Sequence, residues 1–170
     1  MSILTPSKWP VRSPLPEILI AVAVTLTVGG LVGWITAPSI TTWYATLNKP
    51  WFNPPDAVFG PVWTTLYVLM GIAAGLVWDA GPERRDVRIA LGWFAVQLML
   101  NGAWALIFFG ARLPAFALAE IVLLLITIIV CMFAFARVRK TCAWLMLPYA
   151  VWVSFAAILN AAIVALNKGV

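Results

Sequence analysis

At 170 residues and 18.6 kDa the chain has the length of one domain. With 64% hydrophobic residues, 10% charged residues and a mean hydropathy of +1.00, its composition excludes a water-soluble globule and points to a multi-pass membrane protein. The net charge of +5 resides in short loops between apolar runs, where it reads as membrane orientation rather than as a nucleic-acid surface. Two cysteines, Cys131 and Cys142, and no histidine leave neither a disulfide framework nor a metal cluster legible.

Residues 1–17 form a Pro-rich N-terminal segment without the apolar core of a cleavable signal, so the first span is expected to remain as an uncleaved anchor. That span is predicted over about 18–37, with Pro38 at its end. Gly29, Gly30 and Gly33 within it let a neighbouring helix or a ligand approach the backbone closely, and helix packing is the favoured reading. The stretch from Trp43 to Trp63 follows, with four prolines and three tryptophans. Proline forces its predecessor toward extended geometry, so 38–56 is predicted as a rigid non-helical loop, suited to covering a site for a large flat apolar ligand.

A second span is predicted over 57–78, with Pro61 tolerable only in its first turn. Trp63, Tyr67, Met70 and Ala74 share one narrow face, beside the small-xxx-small pair Gly71 and Gly75. The third span, about 89–111, carries Gln97, Asn101 and Trp104 on a stripe that must face the bundle interior, because amides facing lipid would be unsatisfied. After a turn at Arg112, Leu113 and Pro114 comes the fourth span, about 113–136, holding Glu120 two turns inside as a candidate functional carboxylate.

The fifth span, about 143–166, contains Pro148, expected to kink or locally unwind it unless neighbouring groups satisfy the freed carbonyl. On it Tyr149, Trp152, Ala156, Asn160, Ile163 and Asn167 fall within about 80° of one another. Three helices with mixed aromatic and polar stripes imply one shared interior site. Trp9, Trp34, Trp78, Trp93 and Trp144 read as interfacial belt or packing residues. By the bias in basic residues, the N-terminus faces the cytoplasm, with Lys8, Arg12, Arg84, Arg85, Arg88, Arg137, Arg139 and Lys140 on that side. Lys49, Arg112 and Lys168 lie opposite.

The loop WYATLNKPWFNPPDAVFGPVWTTLY, then QLMLNGAW with FFGAR, then PYAVW with a later LN, together resemble the TspO/MBR family of tryptophan-rich sensory proteins and translocator proteins, over nearly the whole chain. The resemblance implies an all-α membrane protein, a compact bundle of five transmembrane helices over 18–170, often homodimeric, in a bacterial envelope membrane. It further implies a cavity beneath the first loop that binds tetrapyrroles such as protoporphyrin IX, and in mitochondrial members cholesterol and benzodiazepine-type drugs. Trp43, Trp63 and Trp152 match tryptophans tied to porphyrin binding or breakdown; Asn101, Trp104, Ala156 and Asn160 match cavity-lining positions, and Tyr67 and Tyr149 share their stripes. The sterol motif lacks its tyrosine between Leu159 and Lys168, which disfavours cholesterol.

Without histidine, a porphyrin would be held by ring stacking, each aromatic pair adding about 0.5–1.5 kcal/mol beyond burial. Its propionates would meet Lys49, Asn101 or an indole N–H. No cofactor is required for this. The expected function is a membrane binding and sensory protein for tetrapyrroles. Two alternatives stand beside it: an enzyme degrading porphyrin with light and oxygen, in which Trp63 and Trp152 would act as electron or radical donors, and a porphyrin or sterol transporter. No hydrolytic triad, phosphate loop or metal-ligand set is present for other catalysis.

Overall fold

The computed structural model describes residues 13–167. The expectations for residues 1–12, including Trp9 and the charges Lys8 and Arg12, and for Lys168 therefore lie outside the described residues, whereas residues 15–17, read as part of the N-terminal segment, form the start of the first helix. Among those described, all regular structure is helical: α1 (Leu15–Thr41), the short α2 (Trp43–Thr46), α3 (Asp56–Asp79), α4 (Arg85–Ala105) running into a π-helical turn (Leu106–Gly110), α5 (Pro114–Val138) and α6 (Lys140–Leu166). Five of them are long and apolar enough to cross a membrane, α4 counted with its π turn. In a bilayer backbone polar groups must find partners within the protein, and these helices provide them internally except at the carbonyls freed by Pro38, Pro61 and Pro148.

Around the bundle α1 packs on α3, α3 on α6, α6 on α5 and α5 on α4, while α1 also meets α4 and the π turn, closing the ring. Glycine sets the closest of these approaches. A Cβ on Gly71 would lie 2.5 Å from the Cα of Val22, and one on Gly75 would overlap the Cα of Ile18, so only missing side chains let α1 and α3 touch backbone to backbone. The Thr25 hydroxyl seals the contact by donating to the carbonyl of Tyr67 at 2.8 Å. Met70, Ala73, Ala74 and Val77 of α3 are buried in the core with Ile128 and Cys131 of α5 and Met146 of α6.

Several element boundaries differ from the sequence reading. Pro38 does not end the first span, and 38–56 is helical in part: α1 continues to Thr41, the Thr42 hydroxyl donates to the Pro38 carbonyl at 2.7 Å, and α2 occupies Trp43–Thr46. Pro61 is the sixth residue of α3 rather than part of its first turn, and α6 runs unbroken through Pro148 instead of unwinding. The reason is common to all three. A proline removes one donor, but in lipid an unwound turn would strand many more groups, so the helix persists. The third helix starts four residues earlier than expected, at Arg85, and its last turn widens into a π turn in which Ala111 N–H donates to the Leu106 carbonyl at 2.7 Å. The turn at Arg112 holds a positive φ of 59°, which reverses the chain into Pro114.

Candidate functional site: an aromatic cavity beneath the first loop

The glycine contacts hold α1 to α3 only over one half of their length. The last of them is Gly29, where a Cβ would overlap the Tyr67 ring. Beyond it the helices diverge, and Gly30, Gly33 and Gly60 face open space. A cavity of about 430 Å³ fills the gap between α1, α3, α6 and the end of α4, within the size range of small-molecule sites. Its apolar and aromatic walls include Phe59 and Trp63 from α3, Trp104, Phe108 and Phe109 from the α4 end, and Trp152 and Ala156 from α6.

The polar groups at the cavity floor are turned on one another. Tyr67 Oη donates to Asn101 Oδ1 at 2.5 Å, and Asn101 Nδ2 donates to Tyr149 Oη at 3.1 Å. On the side wall, Trp104 Nε1 donates to Asn160 Oδ1 at 3.2 Å, and Asn160 Nδ2 donates to the Pro114 carbonyl at 2.9 Å, tying α6 to the start of α5. Asn101 is only 3% exposed and bridges two helices, so Asn101→Ala would leave two buried hydroxyls without their amide partner. It should cost about 2 kcal/mol in unfolding measured in detergent. A loss below about 0.5 kcal/mol would mean that the bridge contributes little.

The π turn builds another wall. Its widened backbone carries Phe108 and Phe109 together, with ring centroids 4.8 Å apart, and stacks Phe108 on Trp104 at 5.4 Å. Such turns recur at functional sites because one added residue re-aims the side chains around it. Phe108 also meets Trp43 and Tyr44 from the first loop, so roof and wall share one aromatic cluster. The roof is fixed from both sides. Tyr44 Oη donates to Asn53 Oδ1 at 2.9 Å, and Lys49 Nζ lies 4.3 Å from the centre of the Tyr44 ring. Burial, and then the Asp56 carboxylate, push the Tyr44 phenol up to about 12, so it stays a neutral donor. At the loop's end Asn48 N–H donates to Asn167 Oδ1, and Asn167 Nδ2 donates back to the Asn48 carbonyl, both at 2.9 Å.

One polar feature remains open to an occupant. Asp56 lies at the mouth, in the first turn of α3. Trp152 lines the cavity with its ring, while its Nε1 is buried away from the space and has no hydrogen-bond partner. No group of three or more potential metal ligands occurs among the described residues. The lining is predominantly apolar and aromatic.

Comparison with known proteins places this geometry. The model of the TspO/MBR family matches residues 21–166. The chain belongs to the TspO/MBR family. It is 46% identical over 139 residues to the tryptophan-rich protein TspO of Chlorobaculum tepidum, covering 81% of this chain and 88% of that one. Against the human translocator protein it is 41% identical over 119 residues, covering 69% and 70%. Against the tryptophan-rich sensory protein of Cereibacter sphaeroides it is 38% identical over 125 residues, covering 74% and 77%.

Of the site residues expected from the sequence of this TspO/MBR protein, Trp63, Tyr67, Asn101, Trp104, Trp152, Ala156 and Asn160 line the cavity. Trp43 and Tyr149 do not. Trp43 packs edge-on against Phe108 in the roof, and Tyr149 is fully buried behind Asn101, supporting the floor. Trp51 is 96% exposed and plays no part in the lining. Glu120 lies outside the cavity wall, its two carboxylate oxygens buried without a hydrogen-bond partner. Sequence reasoning missed Phe59, Phe108 and Phe109, and it read all three α1 glycines as packing when Gly30 and Gly33 instead leave cavity space. The FFG run at the end of a polar-striped helix was the available signal, but a π turn has no sequence period by which to place its side chains.

Proposed function

We propose that this TspO/MBR protein binds tetrapyrroles of the protoporphyrin IX type in the cavity beneath the first loop, acting as a membrane binding and sensory protein that influences porphyrin metabolism or stress responses. The supporting observation is the wall itself, in which Trp63, Trp104, Phe108 and Trp152 present rings around an apolar space while nearly every nearby polar group is already paired within the protein. Stacking, rather than metal ligation, carries recognition in this reading. Of the three partners expected for a ligand carboxylate, Asn101 is engaged on both amide atoms and Lys49 sits over Tyr44, outside the cavity lining. No paired-off donor of the wall is thus left free for a ligand carboxylate, and the rings carry the contact. The relatives' names, tryptophan-rich sensory protein and translocator protein, accord with a ligand-responsive membrane protein.

Quenching of tryptophan fluorescence by protoporphyrin IX in detergent tests this. Saturable quenching is expected for the wild type, with Trp63→Phe and Trp152→Phe each weakening binding about tenfold, or about 1.4 kcal/mol. Linear titrations that are the same for all three proteins would instead report partition into the micelle and defeat the proposal.

A further inference from the structure

The end of the bundle remote from the cavity carries a second feature. Arg84, Arg85 and Arg88 open α4, while Arg137, Arg139 and Lys140 occupy the α5–α6 turn, and all six are exposed. Because α5 packs against both α4 and α6, the two clusters belong to neighbouring helix ends. Arg84 pairs with Asp86 and Arg139 lies 3.8 Å from Asp79. Among the described residues, Arg85, Arg88, Arg137 and Lys140 form no ion pair.

Each of these four cations stands one turn outside a lipid-facing apolar or empty position on the same helix face, about 6 Å along the axis. Arg137 stands over Phe133, which is 68% exposed, and Lys140 over Trp144, which is 70% exposed. Arg85 stands over Ile89 and then Trp93, both exposed. Arg88 stands over Gly92, where a Cβ would meet nothing within 4 Å, so the surface of α4 is notched there. Orientation in the membrane accounts for the cations alone. The pairing of every free cation with an apolar ledge or notch beneath it matches a molecule with an anionic head and a hydrocarbon tail.

We propose that this basic end binds anionic phospholipid, with headgroup phosphates held by Arg85 and Arg88 of α4 and by Arg137 and Lys140 of the α5–α6 turn. The acyl chains descend along the Gly92 notch and the Phe133 and Trp144 rings. The cations act through charge, so binding strengthens with each one and weakens as salt screens them.

The test is native mass spectrometry of the purified full chain in detergent, supplied with phosphatidylglycerol or phosphatidylcholine at equal concentration. The wild type should retain phosphatidylglycerol at least tenfold over phosphatidylcholine. Arg85→Gln with Arg88→Gln, and Arg137→Gln with Lys140→Gln, should each cut that preference severalfold, and the four together should remove it. Lys49→Gln with Arg112→Gln, at the opposite end, should leave it unchanged. Should a variant fail to fold, the wild type alone decides, because 1 M salt must erase the preference while an excess of inorganic phosphate must leave the lipid bound. Equal retention of both lipids, equal loss in the opposite-end variant, persistence of the preference in 1 M salt, or displacement by phosphate would overturn the assignment. None of these readouts depends on occupancy of the cavity.

Discussion

Gly33→Leu is expected to lower affinity for protoporphyrin IX at least tenfold while leaving the unfolding temperature of the ligand-free protein unchanged or higher. Gly33 lines the cavity, and a Cβ there meets nothing within 4 Å, so a leucine enters empty space rather than a packed interface. Replacing glycine within a helix also removes its backbone entropy penalty, about 1 kcal/mol. Stability and binding should therefore move apart, which damage to the fold cannot produce. The neighbouring Gly29→Ala provides the contrast. Its Cβ would overlap the Tyr67 ring and disturb the Tyr67–Asn101–Tyr149 chain, so it should lose both stability and binding. Parallel titrations and thermal unfolding of the two variants check the pair, and undiminished binding in Gly33→Leu would place the ligand elsewhere.

The second large effect is structural. Gly75→Leu should destabilise the protein by about 3 kcal/mol or more, because the new side chain would drive into the backbone of α1 at Ile18, which cannot yield as a flexible side chain does. The expected picture is release of α1 from α3, seen as loss of a disulfide engineered between the two helices and as an early unfolding phase in detergent. Gly92→Ala, on the lipid face with nothing near its Cβ, should be neutral or slightly stabilising by the same measurements. Similar behaviour of the two variants would mean that close approach of α1 and α3 does not organise the bundle.

How far the sequence carried these conclusions depended on the length scale of each feature. The five spans and the interior stripes were legible because lipid imposes a coarse rule, some twenty apolar residues per crossing with polar groups turned inward. The stripe of Asn101 and Trp104 and the face of Trp63 and Tyr67 accordingly meet at the cavity, as helical periodicity implied. Pro38 misled because its local preference for ending a helix was given more weight than the cost of stranding backbone groups in lipid; it lies inside α1, as Pro148 lies inside α6. The glycines divided by a difference of one residue. Gly29 and Gly30 are adjacent, yet the first abuts Tyr67 and the second borders empty space, a distinction set by the direction of the partner helix and not by composition. Trp43 and Tyr149 lie one layer behind the cavity lining, because a shared helix face does not report depth. Phe108 and Phe109 escaped because the π turn breaks the period used to project side chains.

The central claim is that the aromatic cavity, rather than the lipid-facing surface, is where a tetrapyrrole binds. A crystal structure of the protein with protoporphyrin IX tests it most directly. The account predicts macrocycle density beneath the first loop, stacked against the rings of Trp63, Trp104 and Trp152. A porphyrin bound only on the outer faces of the helices, with the cavity unchanged, would contradict it.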